Sequence, residues 1–198
     1  RNMPVLRPEQ TLSDRSLWTR YGVPTERPIL LMQGAFMDRD RGAKAAVEAL
    51  DAMPEVTLVL IGSGSEFDWA TSQQPHFGGR LVCIPKLPFD ELVRLTAAAD
   101  VGLSLDSAVC GNFYMSLPNK LFDYIHAGLP VVVATDLPEI RRVITEHAVG
   151  QITSSTSPAD LSSATRSVLA TDRETWRSRC ELAATALHWD VDAPRILQ

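Results

Sequence analysis

Apolar runs and amphipathic stretches alternate along the chain. Mostly apolar runs lie at 29–33, 56–61, 81–84, 101–105 and 131–134, with a shorter one at 150–153. Most lack polar–apolar alternation, so they predict strands covered on both faces. Helical patterns separate them, near 42–53, 66–74, 89–99, 118–127 and 138–146. Two more, near 158–170 and 172–187, close the chain, and one near 14–21, capped by Ser13, precedes the first strand. Polar residues mark several helix starts. Asp136 stands before Pro138 and Glu139, Ser157 before Pro158 and Asp160, and Thr171 three residues before Glu174. Each reads as an N-cap with an acidic first turn.

Strands alternating with helices predict right-handed βαβ units. The fold expected is α/β: a Rossmann-like, doubly wound parallel sheet of about six strands with helices on both faces. In such sheets ligands bind beyond the carboxyl ends of the strands, at a switch in strand order. The residues directly after each strand are therefore the ones to weigh.

Composition narrows the picture. The 198 residues suffice for one domain with a sizeable core. Their 45% hydrophobic and 22% charged content is that of a soluble globular protein. Nineteen basic against 24 acidic residues give a net charge of −5, which argues against a nucleic-acid footprint. No apolar run is long enough to span a bilayer. The start lacks both a signal-peptide pattern and an initiator Met, as expected of a fragment from a longer chain. Cys83, Cys110 and Cys180 have neither zinc-site nor disulfide spacing, so a cytoplasmic location is expected.

The stretch Ser116-Leu117-Pro118-Asn119-Lys120-Leu121-Phe122-Asp123-Tyr124 carries the densest chemistry. Pro118 reads as the first residue of a helix. Lys120 and Asp123 then fall in its first two turns. Unpaired N–H groups and a partial positive charge make a helix start suitable for phosphate. Lys120 adds a full charge there, and Asp123 can accept from a sugar hydroxyl. Together they suit one end of a nucleotide sugar.

Other loops add candidates. Gly34 lets backbone approach a phosphate closely. Arg39 or Arg41 can neutralise a diphosphate, though a solvated charged loop is the competing reading. Asp38-Arg39-Asp40 resembles a metal-binding aspartate pair superficially. The flanking arginines already supply the positive charge a metal brings, so no metal site is expected. Gly62-Ser63-Gly64 is part of a dinucleotide fingerprint, with Phe67 in place of its third glycine. A tight strand-to-helix turn explains it at least as well. His126 reads as structural or solvent-facing, and Phe122 and Tyr124 as packing residues.

Taken in order, these segments resemble the C-terminal, donor-binding domain of GT-B glycosyltransferases. The specific likeness is to retaining family 4, in a bacterial-type subgroup with S-L-P-N-K-L-F-E-Y-x-x-A-G-L-P-V. Gln33-Gly34 with Arg41-Gly42, Leu58 to Gly64, and Ala97 to Leu103 are further landmarks. The resemblance implies a hexosyl transfer from a nucleoside-diphosphate sugar, with neither cofactor nor metal. It makes Lys120 and Arg41 the groups that stabilise the leaving diphosphate, with Arg41 replacing a usual Lys. It places Gly34, Arg39, Gly62, Gly64, Lys86, Leu87, Asn112, Tyr114, Ser116, Leu117, Asn119 and Asp123 against the donor. Lys86 and Leu87 would meet the nucleobase, although a plain loop explains them equally. The chain departs from the common family pattern at Met115, where a glutamate would touch the sugar, and at Pro118, where glycine is usual.

Residues 1–12 would then be an interdomain linker and 13–187 the nucleotide-sugar-binding domain. Residues 188–198 would be a tail returning to an N-terminal acceptor-binding domain, the other expected partner. Any membrane contact would lie in that half, and this half alone would be inactive. A non-catalytic nucleotide-binding or interaction domain of the same fold is the alternative, favoured by Met115; a nucleotide-sugar epimerase is another.

Overall fold

The computed structural model describes residues 13–39, 41–106, 117–134 and 137–191. Six parallel strands form one sheet in the order β3-β2-β1-β4-β5-β6. They are β1 (Ile29–Gly34), β2 (Thr57–Gly62), β3 (Leu81–Pro85), β4 (Val101–Ser104), β5 (Val131–Ala134) and β6 (Gly150–Thr153). The helices are α1 (Ala43–Glu48), α2 (Ser65–Gln73), α3 (Phe89–Ala97), α4 (Asn119–His126), α5 (Pro138–His147), α6 (Pro158–Leu169) and α7 (Arg173–Ala186). Short 3-10 turns at Arg15–Tyr21, Ala49–Ala52 and Gln74–Phe77 complete the described elements.

The apolar strands are buried on both sides. In β1, Ile29 and Leu31 join one hydrophobic layer, with residues of α3, α4, α5 and α7. Leu30 and Met32 join the other, with α1, α2 and α6. All four are fully buried, each contributing about 1.5–3 kcal/mol of transfer free energy. Period-two geometry therefore sends these four adjacent residues alternately into opposite layers, and polar Gln33 follows only at the carboxyl end of the strand.

The elements follow the sequence expectations with local corrections. Asp14, not Ser13, caps the first turn, accepting from the N–H of Ser16 at 3.0 Å. Asp172, not Thr171, caps α7, accepting from the N–H groups of Glu174 and Thr175. A carboxylate one residue nearer the helix reaches both orphan donors. Ser157 caps α6 as expected. Pro118 precedes α4 rather than opening it, in extended conformation at φ −68° and ψ 138°. Asp136 lies outside the described residues, and Leu137 holds the cap position of α5 without a side-chain bond.

Asp100 pins the amino-terminal side of the sheet. It accepts from the Ile29 N–H and from Arg15, each at 2.7 Å, and pairs with Arg173 at 3.4 Å. At the opposite edge Gly34, Gly62 and Pro85 lie side by side in register. The ends of β1, β2 and β3 are therefore level, and strand order reverses between β1 and β4.

Candidate nucleotide-binding site

The reversal opens a gap. β1 and β4 pair only at Leu30↔Val101 and Leu31↔Gly102. Beyond that point Tyr124 of α4 fills the space. Its hydroxyl accepts from the Gln33 N–H at 3.0 Å and lies 3.2 and 3.3 Å from the carbonyls of Leu31 and Leu103. A phenol has one proton to share between those acceptors. Burial pushes its pKa far up, so it remains a neutral donor. Gly102 makes room for the ring: a Cβ there would stand 2.6 Å from Tyr124 Cδ2. Tyr124 thus does more than pack; it splices the backbone where the strands part.

The splice aims α4. Leu121, Phe122, Tyr124 and Ile125 are buried, which leaves Lys120 and Asp123, three residues apart, on one shared face. This helix gains no side-chain cap from Pro118, which stands at its N-cap. Its first turn opens into a cleft of about 250 Å³ lined by Gln33, Gly34, Ala35, Ile61, Gly62, Lys86, Leu87, Leu92, Asn119, Lys120 and Asp123. The cleft sits beyond the ends of β1, β2 and β3, where this topology places ligands.

Asp123 is held from below. Thr96 Oγ1 lies 2.9 Å from Gln33 Oε1 and 2.7 Å from Leu92 O, with one proton to share between the two acceptors. Gln33 Nε2 then donates to Asp123 Oδ2 at 3.3 Å. Burial raises the Asp123 pKa, and the bond from Gln33 opposes that rise.

Lys120 is held from behind. Its Nζ lies 2.7 Å from Asp106 Oδ2, and Arg41 Nη1 lies 3.1 Å from Oδ1 of the same carboxylate. Ser104 Oγ adds a third bond to Asp106 at 3.1 Å. Asp106 is 5% exposed. Lys120 and Arg41 thus share one buried carboxylate.

The remaining predicted residues fall in different places. Gly34 lines the cleft, and Lys86 stands at its mouth with Nζ 3.9 Å from the ring centroid of Phe36, itself 66% exposed. Gly62 lines the cleft too, but its missing side chain serves the fold. A Cβ there would approach the Gly34 carbonyl oxygen to 2.0 Å. Gly64 adopts φ +119°, and a Cβ there would meet Met37 backbone at 2.8 Å. The loop after β1 crosses this turn, with Met37 N–H donating to Ser63 O at 2.6 Å. Asp38 caps α2, accepting from the N–H and hydroxyl of Ser65 at 2.8 and 3.0 Å, bonds that lower its pKa. Arg39 is exposed, and Leu117 packs against the core beneath the site. His126 makes a 2.7 Å ring-nitrogen bond with Leu187 O, a structural role. Asp40, Cys110, Asn112, Tyr114, Met115 and Ser116 lie outside the described residues.

Asp106, Gln33 and Thr96 were not among the predicted site residues. The signal for two of them is present: Gln33 and Asp106 are polar residues at the carboxyl ends of otherwise apolar runs. Thr96 carries no such mark within its helix.

Comparison with known proteins bears on the family and the fold. A human chitobiosyldiphosphodolichol beta-mannosyltransferase is 29% identical over 143 residues, covering 63% of this chain and 30% of the relative. The C-terminal domain of a group 1 family glycosyl transferase (LpcC) from Francisella tularensis superposes with a TM-score of 0.64 at 12% identity. That match covers 97% of this chain and 95% of the other. Anabaena Alr3699/HepE, determined in complex with UDP-glucose, superposes with a TM-score of 0.68 at 16% identity, covering 90% of this chain and 48% of that one. The chain thus spans under a third of the human relative and about half of the Anabaena protein. Residues 27–171, most of the chain, match the family described as glycosyl transferases group 1. The chain belongs to that family, as a C-terminal domain of the GT-B fold.

Proposed function

We propose that this domain binds the donor of a retaining, metal-independent glycosyltransferase of family 4, in the S-L-P-N-K-L-F-E subgroup. The observation that carries this reading is the start of α4, where Pro118 offers no side-chain cap and Asn119, Lys120 and Asp123 line the cleft. The donor's diphosphate meets that helix start and the Lys120–Arg41 pair. The ribose reaches Asp123, and the nucleobase lies towards Lys86 and Leu87. UDP-glucose in the Anabaena protein supports a uridine-type donor; the human mannosyltransferase supports a hexose.

In the reaction, the bond from the anomeric carbon to the diphosphate oxygen breaks. An acceptor hydroxyl attacks the same face, its proton leaves, and nucleoside diphosphate is released. Charge builds on the diphosphate as it departs. Lys120, Arg41 and the N–H groups of α4 therefore interact most strongly in the transition state, which is what accelerates the step. The acceptor comes from an N-terminal domain of the same enzyme, in a cytoplasmic setting, and this half alone transfers nothing.

The test is transfer by the complete enzyme in excess chelator, with the product's anomeric configuration read by proton NMR. A product with the donor's configuration is expected. An inverted product, or transfer that stops with chelator, contradicts the proposal.

A further inference from the structure

We propose that Asp106 is a positioning residue that gathers Lys120 and Arg41 into one preformed anion cradle. This rests on the donor-binding role proposed for Lys120 and adds a group that supports it from outside the cleft. Asp106 is absent from the cleft lining, and both of its oxygens are committed. Oδ1 takes Arg41 at 3.1 Å, while Oδ2 takes Lys120 at 2.7 Å and Ser104 at 3.1 Å. Its described partners are thus two cations and a hydroxyl of the protein itself.

Three features point to positioning rather than plain stabilisation. Lys120 and Arg41 come from distant segments and carry like charges, so they repel unless an anion lies between them. The Lys120 side chain is only 11% exposed, a costly setting for an ammonium without a counter-charge. Ser104, the last residue of β4, bonds Asp106 and so ties the carboxylate to the sheet. The lysine head is thereby fixed to the rigid scaffold before a ligand arrives, which is the preorganisation that electrostatic catalysis needs.

Asp106 also lowers the charge of the cradle. Binding and turnover should therefore respond in opposite directions to its removal. Without it, the cleft wall is more positive and an anion binds as well or better. Lys120 is no longer held, so transition-state stabilisation falls.

The test uses Asp106→Asn, with Asp106→Glu beside it in case the first folds poorly. Lys44, Lys86 and Lys120 are the lysines of this domain, so competitive amine labelling read by mass spectrometry reports Lys120 against the exposed Lys44. This arm needs neither donor nor activity. In the unaltered protein Lys120 labels more slowly than Lys44; in Asp106→Asn its rate rises towards that of Lys44. In the complete enzyme, Asp106→Asn lowers kcat on the order of 10- to 100-fold, as expected of a misplaced catalytic group, while nucleoside diphosphate affinity is unchanged or tighter. Asp106→Glu retains charge, so it keeps Lys120 protected but lowers kcat by shifting the carboxylate one methylene. Lys120 labelling unchanged in Asp106→Asn overturns the proposal, as does kcat unchanged in both variants or affinity falling in step with kcat. If no nucleoside diphosphate binds the unaltered protein, the donor reading fails, and the labelling arm still decides whether Asp106 holds Lys120.

Discussion

Lys120 Nζ and Asp106 Oδ2 lie 2.7 Å apart, one from the first turn of α4 and the other just beyond β4. The cation that faces the cleft is therefore anchored to the central sheet. In the complete enzyme, Lys120→Ala should lower turnover on the order of 10²-fold or more, with a smaller effect on donor binding. Steady-state kinetics together with an equilibrium binding constant separate the two. Normal turnover in the variant would remove Lys120 from the mechanism.

Asp123→Asn should weaken nucleotide binding by about 1.5–3 kcal/mol, the usual range for a hydrogen bond to a charged group. Inorganic diphosphate, which has no ribose, should bind almost unchanged. Calorimetry with both ligands makes the comparison. Equal losses for the two would mean that Asp123 acts on the phosphate site through Lys120 and not on the sugar.

The raised pKa of Asp123 has a pH signature. The folded protein holds this proton more tightly than the unfolded chain does. The group's contribution to stability is therefore fully present below the unfolded carboxylate range and is lost as pH rises through the folded pKa. Ribose binding has the opposite trend, because ionised Asp123 is the better acceptor. Nucleotide affinity should fall on acidification, starting above the ordinary aspartate pKa of about 3.9. Asp123→Asn should remove that step; a step unchanged in the variant would assign it to another group.

Two packing predictions test the frame around the site. Gly102→Ala pushes a methyl into the Tyr124 ring, 2.6 Å from Cδ2, and should cost about 1–3 kcal/mol in urea unfolding. Ala148 adopts φ 51° and ψ 41° after α5, a left-handed conformation that glycine takes without penalty. Ala148→Gly should therefore stabilise the domain by up to roughly 1 kcal/mol. An unchanged midpoint in either variant would show that the backbone there relaxes freely.

The sheet was legible because its strands are apolar on both faces; Ile29 to Met32 leave no other reading. Lys120 and Asp123 were legible because helical spacing alone puts them on one face. Cap positions were less so: Asp14 and Asp172 compete with neighbouring Ser13 and Thr171, and only chain direction at the helix start decides between them. Gly62 and Gly64 show a further limit. Sequence shows a turn there, but not that the Gly34–Met37 loop crosses it and leaves no room for a side chain. Asp106 stands out as a polar residue after an apolar run, but its pairing was hidden because Arg41 and Lys120 are distant in sequence and meet only through the order of the sheet. Tyr124 looked like packing because nothing local reveals that β1 and β4 separate above it.

The central claim is a phosphate site made by the start of α4 with Lys120 and Arg41, without metal. Calorimetry of this domain with a panel of nucleoside diphosphates, in buffer with and without chelator, tests it most directly. The account predicts that at least one binds and that its affinity is the same in both buffers. Binding by none, or binding that disappears with chelator, would contradict it.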